Sequence, residues 1–254
     1  RGARHITFGD PDFLNGPGHG MAIVRQLHRR WPELTFDITA QIRHLDRHRR
    51  YLSELAELGC AFVISAVESL SDTVLARLRK GHRRDDFVRV LDLCRAAGLV
   101  LRPTFVTFTP WTTLDDVRQL SDFIADHDLV DHVDPIQLAI RLLVPPGSLL
   151  LDAPDTAPYF GPLDRAALTH VWTHPDPRVD RLQRDLAACV ARVAQSGATG
   201  NDSDSRDERA GNGADAVFAE QRRLIYAATD LAPPPPLPAR AMRPVPRMTE
   251  PWFC

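Results

Sequence analysis

The stretch from Phe62 to Gly81, FVISAVESLSDTVLARLRKG, constrains the fold more than any other part of the chain. Phe62 to Val67 is a short, mostly apolar run, the pattern of a strand buried on both faces. Glu68 and Ser69 follow where the run ends, and Ser71 and Asp72 supply an N-cap and an acidic first turn. Val74, Leu75 and Leu78 then give a helical stripe that Lys80 and Gly81 close with a cation and a C-cap glycine. A strand delivers a carboxylate and a hydroxyl into a loop, and a helix returns the chain. In parallel α/β folds the loops at the carboxyl ends of strands hold the chemistry.

The same alternation recurs along the first half of the chain. Strands are expected at His5–Gly9, Leu34–Arg43, Phe62–Val67, Leu99–Phe108 and Val133–Val144, and helices at Met21–Trp31, Arg47–Leu58, Asp85–Ala97 and Leu114–His127. Strands separated by helices argue for parallel βαβ units with right-handed crossovers, an α/β class. After Pro146 the pattern changes. Leu163 to His170 reads as a short helix, Trp172 to Val179 as a turn-rich linker and Asp180 to Ala194 as a helix. Residues 196–213 are poor in apolar side chains and read as disordered. Ala214 to Thr229 reads as helical, followed by an extended arm containing PPPPLP. The expected division is 1–151, 152–195, 196–213 and 214–254.

Polar residues recur with period two in the expected strands. Asp37, Thr39, Gln41 and Arg43 alternate with Phe36, Ile38, Ala40 and Ile42; His5, Thr7 and Gly9 alternate with Ile6 and Phe8. Gln137 and Arg141 oppose Ile136, Leu138, Ile140 and Leu142. With helices covering the apolar set, the polar set lines the inside of a wide or partly open barrel around a polar ligand. Edge strands of a doubly wound sheet would show the same alternation.

The net charge of −2 gives no electrostatic case for nucleic acid. No run reaches membrane-spanning length and no signal peptide opens the chain. Cys60, Cys94, Cys189 and Cys254 are scattered, which fits a reducing cytoplasm and gives neither a disulfide framework nor a metal spacing. The loop GDPDF after the first strand places Asp10 and Asp12 where they bind an ammonium group or a hard cation, or merely stabilise a turn. Glu68 and Ser69 suit a sugar diol or a simple cap. Arg141 suits an anion, or an ion pair with Asp37 or Glu68. His44 and His48, among Arg43, Arg47, Arg49 and Arg50, read as a solvated helix start. Two readings from the residues are a metal-assisted hydrolase or aldolase on a (βα) barrel, with Asp10 and Asp12 as ligands, and a binding module with a proline-rich docking tail.

HITFGDPDFLNGP from His5, ITAQIRHL from Ile38, ESLSDTVLARLRKGH from Glu68, RPTFVTFTPWTT from Arg102 and IRLLVPPGSLLL from Ile140 occur in an order that resembles radical S-adenosylmethionine (SAM) proteins. The resemblance spans about Arg4 to Leu151 and matches strands two to six of that family's partial (βα)6 TIM-like barrel. It implies an enzyme in which a [4Fe–4S] cluster cleaves SAM to a 5′-deoxyadenosyl radical that acts on a substrate left unidentified, with a reducing electron donor as partner. It implies that Gly9 and Asp10 hold the amino group of the cofactor's methionine part, with Asp in place of the more usual Glu. By the same resemblance, Glu68 and Ser69 approach the ribose or methionine moiety, and Thr107, Gln137 and Arg141 help form the adenosine site; Gln41 and Arg43 join this set. The family's first strand and its CxxxCxxC cluster loop have no counterpart here. The expectation is therefore an N-terminally truncated fragment that takes up no cluster alone, with no metal ligands of its own.

The ending TEPWFC further resembles the CUAEP/CCAEP-tail subgroup, in which selenocysteine or cysteine and then Ala-Glu-Pro follow. This implies a redox role for Cys254 beside selenium, whose lower pKa makes the better nucleophile. The expected codon after Cys254 is UGA, with Ala-Glu-Pro encoded beyond it. Reading the coding sequence past Cys254 checks this; any other stop codon, or a frame without Ala-Glu-Pro, removes the subgroup assignment.

Overall fold

A computed structural model of the chain describes residues 2–198, 206–237 and 245–246. They form two compact units. The first takes residues 2–67, 81–104 and 245–246; the second takes 68–80, 105–198 and 206–237.

Four parallel strands make the main sheet in chain order: β1 (His5–Thr7), β2 (Thr35–Thr39), β3 (Cys60–Glu68) and β4 (Leu101–Phe105). Helices return the chain between them: α1 (Pro17–Arg30), α2 (Ile42–Arg47) with α3 (Leu52–Glu57), then α4 (Asp72–Arg77) with α5 (Arg84–Ala96). Sequential order with helical crossovers is the α/β arrangement the alternation called for. Pro17 opens α1, where its missing N–H costs nothing. Gly59 makes the turn into β3 with φ +94°, and a Cβ there would lie 3.1 Å from the Leu34 carbonyl. In the first unit Met21, Val24, Phe36, Ile38, Leu45, Leu55, Val63, Phe87 and Leu91 are all buried.

Three expectations need correction. The second strand stops at Thr39, so Gln41 and Arg43 leave the strand's alternation: Gln41 is the N-cap of α2 and Arg43 lies in its first turn, both exposed. The expected last strand is instead a 3₁₀ helix, Pro135–Ala139, followed by one parallel bridge between Phe108 and Arg141. Pro135 cannot donate to a ladder and sits at the first helical position. Leu163–His170, read as a helix, is a small antiparallel hairpin of β5 (Leu163–Asp164) and β6 (Thr169–His170). Its turn is held by Asp164, which accepts the N–H groups of Ala166 and Ala167.

The second unit is built on helices. α6 (Leu114–Asp126) starts at a reciprocal cap between Thr113 and Asp116. α7 (Pro177–Ala198) and α8 (Arg206–Ala228) contribute Leu182, Leu186 and Ile225 to a core with Phe108, Leu114, Val117 and Trp172. Of the stretch 196–213, read as disordered, residues up to Ala198 end α7 and residues from Arg206 begin α8; 199–205 lie outside the described residues. The tail beyond residue 246, including Trp252, Phe253 and Cys254, also lies outside them. No described helix is long and apolar enough to cross a membrane.

Arg141 fastens the second unit. Its Nη1 donates to Asp180 Oδ1 at 2.6 Å and its Nη2 to the Trp172 carbonyl at 2.5 Å, and the guanidinium lies 3.4 Å from the centre of the Trp172 ring. Burial pushes the Asp180 carboxyl up. The Arg141 hydrogen bond and the His174 backbone N–H, aided by the Arg141 and His174 charges, outweigh it and hold the group below its ordinary value. A depressed carboxyl contributes stability above its unfolded pKa of about 3.9 and loses it as pH falls through the folded value. Asp180→Asn is expected to lower stability at pH 7 by about 2 kcal/mol, a Tm decrease of roughly 4–8 °C. Calorimetric melts across pH 3–7 check this: the gap from wild type is expected to narrow below about pH 4.

Candidate functional site

The candidate residues follow the strand ends, and each unit holds its own set. In the first unit the chain leaves β1 through Phe8 and reaches Gly9 and Asp10, both exposed. A Cβ built on Gly9 would meet nothing within 4 Å, so the fold itself does not demand glycine there. Asp10 Oδ1 accepts the Asp12 N–H at 2.8 Å, the side-chain turn that aspartate makes two residues ahead.

Asp12 has a different task. It is 8% exposed; its Oδ2 lies 2.7 Å from His44 Nδ1 and its Oδ1 accepts the Gln41 N–H at 3.2 Å. The carboxylate thus ties the loop after β1 to the first turn of α2. His44 is 7% exposed, which corrects its reading as part of a solvated helix start. Burial, with the neighbouring charges of His44, Arg47 and Arg50, pushes His48 below the usual histidine value. Each Asp12 oxygen thus has one partner within the protein, while Asp10 stays exposed. Among the described residues no group of His, Cys, Asp or Glu is arranged to hold a metal.

The polar face expected on the sheet exists at its first two strands. Register pairs His5 with Thr35 and Thr7 with Asp37. Asp37, 1% exposed, lies 2.8 Å from His5 Nε2 through Oδ1, which also accepts the Thr7 hydroxyl at 2.8 Å. The exposed His5 and Thr7 thus satisfy the buried Asp37 carboxylate, as a buried polar group requires.

In the second unit Glu68 ends β3 in the left-handed region, φ +68°. For a glutamate this conformation is uncommon and persists only when surroundings hold it. Two contacts do so: its carbonyl accepts the Val106 N–H at 2.9 Å, and its Oε1 takes Lys80 Nζ at 3.0 Å. Ser69 is buried and its hydroxyl accepts the Ser71 N–H at 3.0 Å. Gln137 Oε1 accepts the N–H of Phe105, the last residue of β4, and the Gln137 carbonyl accepts the Thr107 hydroxyl at 2.7 Å. Gln137 therefore ties the 3₁₀ helix Pro135–Ala139 to the end of β4 and to Thr107. Arg141, engaged by Asp180 and Trp172, pairs with neither Asp37 nor Glu68.

The described cysteines do not fit an iron–sulfur cluster. Cluster ligands are several cysteines gathered at one place, whereas among the described residues no such group exists, and burial raises the Cys60, Cys94 and Cys189 thiols. An exposed carboxylate next to an open glycine does fit an ammonium group. Sequence reasoning missed the Asp12–His44 and Glu68–Lys80 pairs. The second was within reach, since Lys80 was already placed at the end of the helix that Glu68 introduces; nothing in the spacing of Asp12 and His44 announces the first.

The sequence model of the radical SAM superfamily matches residues 1–124. A bacteriochlorophyllide d C-8(2)-methyltransferase of Chlorobaculum tepidum is 27% identical over 94 residues, 36% of this chain and 21% of that protein. Among solved structures, the cobalamin-dependent S-adenosylmethionine radical enzyme OxsB with aqua-cobalamin aligns with a TM-score of 0.64 at 15% identity, over 88% of this chain and 40% of that one. The same enzyme with aqua-cobalamin and S-adenosylmethionine gives the same TM-score, 0.64. At this identity the likeness speaks for the fold, and the chain spans well under half the length of either relative. The strand-by-strand reading and the family match agree: over residues 1–124 this chain carries a radical SAM domain.

Proposed function

We propose that the chain is the SAM-binding part of a radical SAM enzyme, with Gly9 and Asp10 at the cofactor's ammonium group. The observation that carries this reading is the division of labour inside GDPDF. Asp12 is buried and bonded to His44 and Gln41, so the loop is fixed from within, while Asp10 stays exposed beside a glycine that blocks nothing. A carboxylate held this way offers a charge-assisted hydrogen bond to an ammonium donor without having to be ordered on binding.

The second unit, taken by itself, offers Glu68 at the end of β3 as a further cofactor-binding candidate. Its left-handed backbone, held by Lys80 and Val106, is the kind of local strain that collects at ligand sites. Bound SAM supplies one-electron, hydrogen-abstracting chemistry; the chain's own residues bind, orient and shield it. The cluster has no ligand set among the described residues. The substrate, a reducing electron donor, a cytoplasmic location and the CUAEP/CCAEP tail with Cys254 as its redox residue belong to the same proposal. The hydrolase alternative, with Asp10 and Asp12 as ligands, has less support: among the described residues no group of three or more His, Cys, Asp or Glu is arranged to hold a metal.

In the complete protein, Asp10→Ala is expected to weaken SAM binding by about ten- to a hundredfold, with a smaller loss of stability than Asp12→Ala because only the exposed turn bond to the Asp12 N–H is removed. Asp12→Ala is expected to lower stability by about 2 kcal/mol, because it leaves His44 buried without its acceptor. Calorimetric titration and thermal melts of both variants check this. Equal affinities for the two would remove Asp10 from the site.

A further inference from the structure

A buried arginine holds something the sheet does not need. Arg102 is the second residue of β4 and 7% exposed. Its Nη1 donates to the carbonyl oxygen of Pro246 at 3.3 Å, and its guanidinium lies 6.0 Å from the centre of the Phe62 ring. His5 stacks on the same ring at 6.0 Å. His5 and Thr35 open their strands, so this cluster marks the amino ends of the sheet, opposite the ends that lead to Gly9 and Asp10.

We infer that the amino end of this sheet is a binding seat for the chain's own proline-rich tail, with Arg102 as the residue that holds it through the Pro246 carbonyl. The chemistry of the tail calls for such a donor. A proline-rich segment makes no internal hydrogen bonds, and proline has no N–H with which to extend a sheet. What it offers a partner is carbonyl oxygens, and arginine is a pure donor. The second unit independently uses the same device: Arg222, 4% exposed, donates through Nη1 to the Pro235 carbonyl at 3.0 Å while its Nη2 is paired with Asp122 at 2.8 Å. Each unit thus fixes one point of the tail by an arginine on a proline carbonyl. This makes the tail part of the fold at both points, and it stands apart from the cofactor reading because the seat lies at the other end of the strands.

The test uses the full chain and limited trypsin, following cleavage after Arg247 by mass spectrometry. Arg102→Gln is expected to speed that cut at least fivefold, with cleavage after the exposed Arg29 unchanged. An unchanged rate after Arg247 overturns the proposal. Circular dichroism checks that the variant folds. If it does not, a second variant decides, in which residues 244–247 become four glycines; of these, Val245 and Pro246 are described and lie outside every strand and helix. Without the stiff prolines the tail pays more entropy to stay seated. Residue-mapped phenylglyoxal modification of Arg102 is then expected to run at least threefold faster than in the wild type. Equal rates overturn the proposal.

Discussion

The Asp12 carboxylate is the interaction on which the functional reading depends. Two hydrogen-bonding partners from the start of α2, the Gln41 N–H and His44 Nδ1, draw it into the protein. A buried carboxylate without partners would be costly, so the loop after β1 has one stable way to sit. Pro11 fixes the step between the two aspartates. With Asp12 held inward, Asp10 is left exposed, bonded to the Asp12 N–H and set next to an unobstructed glycine. Two aspartates two residues apart thus have different work, and burial distinguishes them.

The same economy of polar groups runs through both units. Asp37 is almost fully buried yet bonded to His5 and Thr7 across the β1–β2 register. Arg222, also buried, meets Asp122, which in turn accepts the Tyr226 hydroxyl and an Arg118 hydrogen bond. Networks of this kind specify one arrangement because any slip leaves a charge unpaired. Where the fifth strand was expected, the second unit substitutes side chains for a ladder: Gln137 takes the Phe105 N–H and the Thr107 hydroxyl, and Arg141 pins the bridge residue to α7.

The sheet was legible because its signals are local. The apolar run of β3, its charged exit at Glu68 and the helix behind it all follow from residue types at short spacing. The loop GDPDF could be placed at a strand end for the same reason. What could not be read were choices made by partners distant in sequence. Nothing near Asp12 in the sequence reveals His44, so its spacing suits a ligand or a turn alike. Arg141 was offered Asp37 or Glu68, whereas Asp180 holds it from a helix the sequence did not connect to that strand. Gln41 and Arg43 continued a period-two pattern past Thr39, where the chain turns into α2, since a helix can begin on residues that also alternate.

The claim that the carboxyl ends of these strands receive SAM is tested most directly by hydrogen–deuterium exchange of the complete protein with and without the cofactor. The account predicts added protection in the loop from Phe8 to Leu14, with no change at the amino-end residues His5, Thr35 and Arg102. Protection confined to those amino-end residues, or none anywhere in residues 2–124, would contradict it.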